Sequence, residues 1–179
     1  MKNWDLTFLK TALLISEHST CCRVQVGAVI EKNKRIISIG YNGVRSGETH
    51  CSDHFKEYFE KNVWKEGTNS LFRYPTEEHF DKEKAFEKWK FNKDFYEIHG
   101  KFSLEKELHA EQNAILFADR DQLKDSTLYC TVSPCISCSK IILVSGIKRV
   151  VYHTLYDREI QGLELLKSGG IAVDQITEV

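Results

Sequence analysis

The sequence predicts an α/β fold: a three-layer α/β/α domain with a mixed, about five-stranded sheet and a helical insertion after the second strand. Three observations carry this expectation. Near the N-terminus an alternating apolar run, a short polar turn and a second β-like run read as a hairpin. From His109 onward, strand-like runs alternate with helical periodicities, the order that places helices on both faces of a sheet. Between these parts lies a charge-dense stretch holding more than half of the chain's aromatic residues, which is too apolar for a disordered linker.

In chain order, Asp5 is placed to cap a helix whose apolar residues Leu6, Leu9, Ala12 and Leu13 fall at helical spacing, and the polar cluster from Glu17 to Thr20 ends it. Val24, Val26, Ala28 and Ile30 alternate, Asn33 and its charged neighbours make a turn, and Ile36, Ile37 and Ile39 resume a strand pattern. The hairpin closes on Gly40-Tyr41-Asn42-Gly43, which reads first of all as a turn. Residues 46–106 form a folded insertion inside a single domain spanning 1–179. There, Phe55, Tyr58, Phe59, Asn62 and Val63 fit one helical stripe behind Ser52 as a cap. Phe86, Trp89 and Phe95 fit another helix, and Gly67 to Pro75 reads as loop.

Beyond the insertion a helix runs through Ala114, Ile115, Phe117 and Ala118, and a strand covers Thr127 to Val132. Ser133 and Pro134 resemble N-cap and first residue of the next helix, which carries Cys135 and Cys138 in its first turn and stops at Gly146. Arg149 to His153 is a strand, Gln161 to Lys167 a helix ended by Gly169-Gly170, and Ile171 to Val173 a last short strand. In such a sheet, metal and substrate belong at strand ends, where loops meet helix N-termini.

Length and composition bound the function. At 179 residues, with 41% hydrophobic and 28% charged residues, the chain has the make-up of one globular domain. A formal charge of −1 supplies no positive field for a polyanion, so a small substrate is favoured over nucleic acid. The opening Met1-Lys2-Asn3-Trp4-Asp5 leads into no apolar block long enough for a signal peptide or membrane span, so a cytoplasmic protein with no membrane partner is expected. Six cysteines without a secretory context read as reduced thiols, some of them metal ligands.

His109, Cys135 and Cys138 make a three-ligand set, the number a catalytic zinc uses when its fourth position is left for water. Cys135 and Cys138, three apart, lie side by side on a helix, and a helix N-terminus favours the thiolate that zinc requires. Glu111 is the proton shuttle such a water needs, but at two residues from His109 it would point away on a regular helix. The pair therefore has to sit at a helix start. Glu111 would take the proton of water activated by zinc, then deliver protons to a ring nitrogen and a leaving amine. A C-x-x-C alone is more often a structural zinc half-site or a redox pair, and a lone histidine is usually structural.

The order His109-Ala110-Glu111 followed by Pro134-Cys135-Ile136-Ser137-Cys138 resembles the signature of the zinc-dependent nucleobase deaminases. The resemblance narrows to the deoxycytidylate (dCMP) deaminases of the longer bacteriophage type. It is carried by Cys22-Arg23-Val24-Gln25-Val26-Gly27-Ala28-Val29-Ile30, Gly40-Tyr41-Asn42-Gly43, His109-Ala110-Glu111-Gln112-Asn113-Ala114-Ile115, Ser133 to Cys138, and Ser145-Gly146-Ile147-Lys148. It implies the cytidine-deaminase-like fold and hydrolysis of dCMP to dUMP with release of ammonia, feeding thymidylate synthesis. It also implies a homohexamer in the cytoplasm, of the host if phage-encoded, activated by dCTP and inhibited by dTTP. Asn42 matches the family's sugar-contacting asparagine and Ala110 the position whose backbone meets the base. Gly40, Tyr41, Asn42 and Gly43 match the stretch where relatives hold the regulatory triphosphate with Mg2+.

For the monophosphate, Arg23, Gln25 and Arg45 are candidate donors, and Arg120, at the end of the helix after Glu111, is a further candidate for an intersubunit or phosphate contact. Tyr156 can stack on or hydrogen-bond the nucleotide, and Ser133 joins the same substrate-binding set. Each is equally an ordinary surface position, since charged loop residues are usually just solvated. The longer phage-type relatives also carry a second, structural zinc. Here its ligands would be Cys51, His99, Glu107 and one of Cys21 and Cys22, closing both ends of the insertion. His50 and His54 compete as ligands, and Cys21 and Cys22 also fit as small core residues. Cys130 reads as buried packing. The alternatives are a deaminase of another free nucleoside or nucleotide, or a non-catalytic zinc-stabilised binding protein.

Overall fold

The computed structural model describes residues 3–64, 81–156 and 160–178. These form two compact units: one from the described parts of Met1–Ser19, Gln25–Gly43 and Leu108–Val179, the other from Thr20–Val24 and Val44–Glu107.

The first unit is built on a five-stranded mixed sheet. Helix α1 (Trp4–Ser16) leads to strand β1 (Gly27–Lys32) and strand β2 (Arg35–Tyr41). Asn33 and Lys34 both take positive φ, the backbone twist that a two-residue hairpin demands. The strand order is β2-β1-β5-β6-β7, with β5 (Thr127–Val132), β6 (Arg149–Thr154) and β7 (Ala172–Gln175). β1 is antiparallel to β2 and β5, whereas β5, β6 and β7 are parallel. The parallel half is connected by helix α7 (Ile136–Ser145) and helix α8 (Gln161–Ser168).

The period-two alternation of the strands sorts two cores onto opposite faces. Val29, Tyr129 and Val151 meet Phe8, Leu9 and Ala12 of α1. Their neighbours Ala28, Ile30, Leu128, Cys130, Val150 and Tyr152 pack with Ala110 and Ala114 of helix α5 (Ala110–Leu116), Ile142 of α7, and Leu163 and Leu166 of α8. Each fully buried aliphatic side chain of this kind stabilises by about 1.5–3 kcal/mol. The result is the three-layer α/β/α fold that the sequence predicts.

Several local readings are corrected. Asp5 does not cap α1: Asn3 is the N-cap, and Asp5 lies in the first turn. Its carboxylate instead takes a bidentate pair from Arg149 at 2.7 and 2.9 Å and the Tyr129 hydroxyl at 2.7 Å, tying α1 to β5 and β6. The strand expected from Val24 begins only at Gly27. Gly40 and Tyr41 are the end of β2 rather than a turn, and Gly43–Val44 form the two-residue strand β3. The short helix α6 (Arg120–Leu123) is capped by Asp119, so Arg120 opens that helix rather than ending α5.

The second unit holds helix α2 (Cys51–Tyr58), a π-helical turn over Phe59–Val63, helix α3 (Lys82–Trp89) and helix α4 (Lys93–Lys106), and it ends at Glu107, the first residue of the two-residue strand β4 (Glu107–Leu108). α2 has His50, not Ser52, at its N-cap, and the orphan Ser52 N–H donates to the Thr20 carbonyl at 3.1 Å. Phe86 and Trp89 belong to α3 but Phe95 to α4, because Asn92 caps a new helix through the Asp94 N–H. The reading of Gly67 to Pro75 as loop lies outside the described residues. Phe55, Phe59, Phe86, Trp89 and Phe95 are the core of this unit, packed with Cys21 and Cys51. No helix among the described residues is long and apolar enough to cross a membrane.

Candidate active site and a second His-Cys cluster

His109 is the N-cap of α5, with extended φ and ψ, and Glu111 is the second residue of that helix. The break in helical geometry at His109 frees the two side chains from pointing apart. The side chain of Gln112 accepts the His109 N–H at 2.9 Å, half of a capping box that sets the histidine's backbone. Cys135 is the N-cap of α7 and Cys138 lies one turn in. This corrects the reading of Ser133 as the cap: its hydroxyl accepts the Tyr156 N–H at 2.8 Å, and its own N–H donates to the Thr154 carbonyl.

His109 Nδ1 stands 3.4 Å from Cys135 Sγ and 3.3 Å from Cys138 Sγ. Tetrahedral zinc, with bonds of about 2.3 Å to sulfur and about 2.0 Å to nitrogen, sets ligand N and S atoms about 3.5 Å apart. Spacing and donor type therefore fit zinc. The shared hydrogen bond shifts the two thiols in opposite directions. Donation from Cys138 brings Cys135 down to about 4, while the same bond and burial push Cys138 far above the ordinary thiol range. A divalent cation resolves this conflict by allowing both to be thiolates.

Glu111 is buried, and desolvation raises its pKa against the opposing pull of His109 and a hydrogen bond from Cys138. A buried carboxyl whose pKa is raised, in hydrogen-bond contact with the Cys138 thiol, is a group that can both take and return protons.

Gly40 lies against the first turn of α5: a Cβ there would come within 2.3 Å of the Ala110 carbonyl oxygen and 2.4 Å of the Ala114 nitrogen. Asn113 donates to the Tyr41 carbonyl at 2.6 Å. The Gly40-Tyr41-Asn42 segment is thus brought beside the helix that starts at His109. Asn42 accepts the Val26 N–H through its side-chain oxygen at 2.8 Å, and its carbonyl accepts the Ser19 hydroxyl. Gln25 donates to the Ser19 carbonyl at 2.7 Å. Arg23 belongs to the other unit, where its guanidinium sits 4.7 Å over the Tyr96 ring, and Arg45 pairs with Glu48 at 2.7 Å. Gln112 and Asn113 thus set the geometry of this helix start, and the three-residue capping-box offset from His109 is the sequence signal for Gln112. No local sequence pattern marks Gly162 of α8. A Cβ there would come within 2.3 Å of the Pro134 carbonyl oxygen, so this glycine lets α8 close on the turn that carries Cys135.

The second unit contains a cluster of its own. Cys21, Cys51, His99 and Glu107 are all buried, with one ligand atom from each lying within 4.8 Å of the others. His99 Nε2 is 3.4 Å from both Cys21 Sγ and Cys51 Sγ. Glu107 Oε1 is buried without a hydrogen-bond partner, an expensive arrangement unless a cation meets it. Both cysteines are raised: Cys21 by its bond to Cys51 and by burial, and Cys51 by Cys22 and burial, which together outweigh the lowering bond to Cys21. These residues also fit zinc. Cys22 lies outside the set, with His50 and His54. His99 stacks on Phe55 at 5.3 Å and packs on Phe95 at 5.3 Å, so the aromatic loading of the insertion builds a core around this histidine.

Fold and site together define a class: a metal-dependent hydrolase with a His-Cys-Cys site at two helix starts and a buried carboxylate against it. Residues 2–154 match the family model described as the cytidine and deoxycytidylate deaminase zinc-binding region. The deoxycytidylate deaminase of Enterobacteria phage T4 is 38% identical over 93% of this chain and 86% of its own length. That of phage T2 is 37% identical over 97% and 92%. The crystal structure of the dCMP deaminase from cyanophage S-TIM5 in complex with dCMP and dUMP matches with a TM-score of 0.62 and 28% identity, covering 98% of each chain. The chain belongs to the cytidine and deoxycytidylate deaminase family, and within it to the deoxycytidylate deaminases of phage type.

Proposed function

We propose that this enzyme hydrolyses dCMP to dUMP and ammonia, with His109, Cys135 and Cys138 as zinc ligands and Glu111 as the catalytic acid-base. The observation that carries the reading is the buried Glu111 carboxyl in contact with a three-ligand cluster, in a chain 38% identical to a phage deoxycytidylate deaminase. Zinc, when bound, supplies the Lewis acidity that makes water nucleophilic near neutral pH. Glu111 accepts the proton from that water, then hands protons to N3 of the cytosine ring and to the departing amine. Ala110, buried at the start of α5, presents its backbone to the base, and Asn42 meets the sugar. Gln25, Ser133 and Tyr156 complete the nucleotide contacts. The product chemistry supplies dUMP for thymidylate synthesis.

Cys21, Cys51, His99 and Glu107 hold a second, structural zinc. Closure by four buried ligands leaves no position for substrate, and the orphaned Glu107 oxygen supports a cation there. Gly40 to Gly43 form the platform for a dCTP or dTTP effector with Mg2+, in a cytoplasmic homohexamer whose subunits each form one deaminase-type domain with the 46–106 insertion.

Ammonia release from dCMP, cytidine and dCTP, each assayed with the purified zinc-loaded protein, tests the activity. The expected outcome is turnover of dCMP in clear preference to the other two. Preferred turnover of cytidine or dCTP would replace the substrate, and no turnover with zinc bound would make the chain a binding protein.

A further inference from the structure

A third thiol stands beside the second cluster without belonging to it. Cys22 Sγ is 3.6 Å from Cys51 Sγ, while Cys51 is one of the four grouped ligands and Cys22 is not. The two sulfurs differ in access: Cys51 is fully buried and Cys22 is half-buried. A disulfide places sulfurs about 2.05 Å apart, so closure of about 1.6 Å is required, on the scale of a side-chain rotation. The adjacent ligand Cys21 is buried and engaged with His99, so Cys22 is the thiol of this group that a solvent oxidant meets first.

We infer that Cys22 is an oxidation site for peroxide, and that its oxidation ends in a Cys22–Cys51 disulfide that withdraws Cys51 from the metal cluster. The inference rests on the structural-zinc reading for its consequence, but the disulfide itself is read independently. In the first step Cys22 Sγ attacks one peroxide oxygen, the O–O bond breaks, hydroxide leaves and is protonated to water, and Cys22 becomes a sulfenic acid. In the second, Cys51 Sγ attacks the Cys22 sulfur, the S–O bond breaks, and hydroxide leaves and takes up a proton. Two thiols are oxidised by two electrons in all, and one hydrogen peroxide is reduced to two waters. With Cys51 in a disulfide, His99, Cys21 and Glu107 remain as three ligands, too few to close a structural site.

The test uses the full chain as purified, with zinc content measured first. Hydrogen peroxide is added with a zinc-sensitive dye, and disulfides are mapped by mass spectrometry of non-reduced peptides, in wild type and C22S. The expected result is a Cys22–Cys51 link in wild type, with release of one zinc per chain, both reversed by dithiothreitol and zinc. C22S should purify with wild-type zinc and release it at least ~10-fold more slowly. The inference is overturned if C22S loses zinc as fast as wild type, if Cys51 pairs with Cys21 instead, or if C22S purifies short of zinc, which would make Cys22 a ligand. One zinc per chain in untreated wild type would sink the structural-zinc reading, while the Cys22–Cys51 peptide still decides the oxidation site.

Discussion

The two His-Cys clusters use nearly the same donors and differ in number and in enclosure. Around His109 there are three candidate ligands, of which His109 and Cys135 are half-buried, and a carboxyl that touches the Cys138 thiol without belonging to the group. Around His99 there are four grouped side chains, all buried, that could hold an ion, and the carboxyl, Glu107, is itself one of them. On the proposed reading, a glutamate next to histidine and cysteine is thus a proton carrier in one place and a charge-neutralising ligand in the other. What separates the roles is whether the metal is left a position for water.

The comparison can be broken most directly at one residue of each cluster. E111Q should lower kcat by ~10³-fold or more while zinc content stays unchanged, measured by ammonia release and metal analysis. Retained turnover would leave the first cluster no more catalytic than the second. At the second cluster, C51S should reduce zinc by one per chain and lower Tm by about 10 °C, since an opened buried site removes several kcal/mol and each displaces Tm by about 2–4 °C in a chain of this size. A variant with full zinc and unaltered melting would show that cluster to be ordinary packing.

A finer distinction lies in pH. Burial raises the Glu111 pKa, and a general base must be deprotonated, so kcat/KM should fall as pH drops through a value above the ordinary glutamate range. An acid limb at the ordinary glutamate position would mean that Glu111 is solvated during turnover. The smallest effect is expected outside both clusters. Arg149 holds the Asp5 carboxyl below its ordinary value, so the pair stabilises the fold above that value and the contribution is lost as pH falls through the lowered one. D5N should cost about 1 kcal/mol at neutral pH, seen by denaturant titration, with the difference from wild type shrinking in acid and both zincs retained.

Much of this was legible beforehand because it depends on local chemistry. The hairpin shows in the alternation around Asn33, and the order of strands and helices after His109 shows in its periodicity. The errors have local causes as well. Ser133 and Pro134 have the chemistry of a helix start, but the Ser133 hydroxyl is taken by the backbone of Tyr156, so the cap moves on to Cys135. Asp5 would cap a helix in isolation, but Arg149 competes for its carboxylate across the sheet.

The sequence by itself determined the ligand types, the carboxyl beside His109, and a sheet with helices on both faces, because residue chemistry and periodicity are carried within a few neighbouring positions. Only the tertiary structure decided that Cys21 rather than Cys22 joins Cys51, His99 and Glu107, that the aromatic residues of the insertion enclose His99, and that Gly40 and Gly162 are needed for close approach. Those choices depend on distances between residues far apart in the chain, and no local pattern records them.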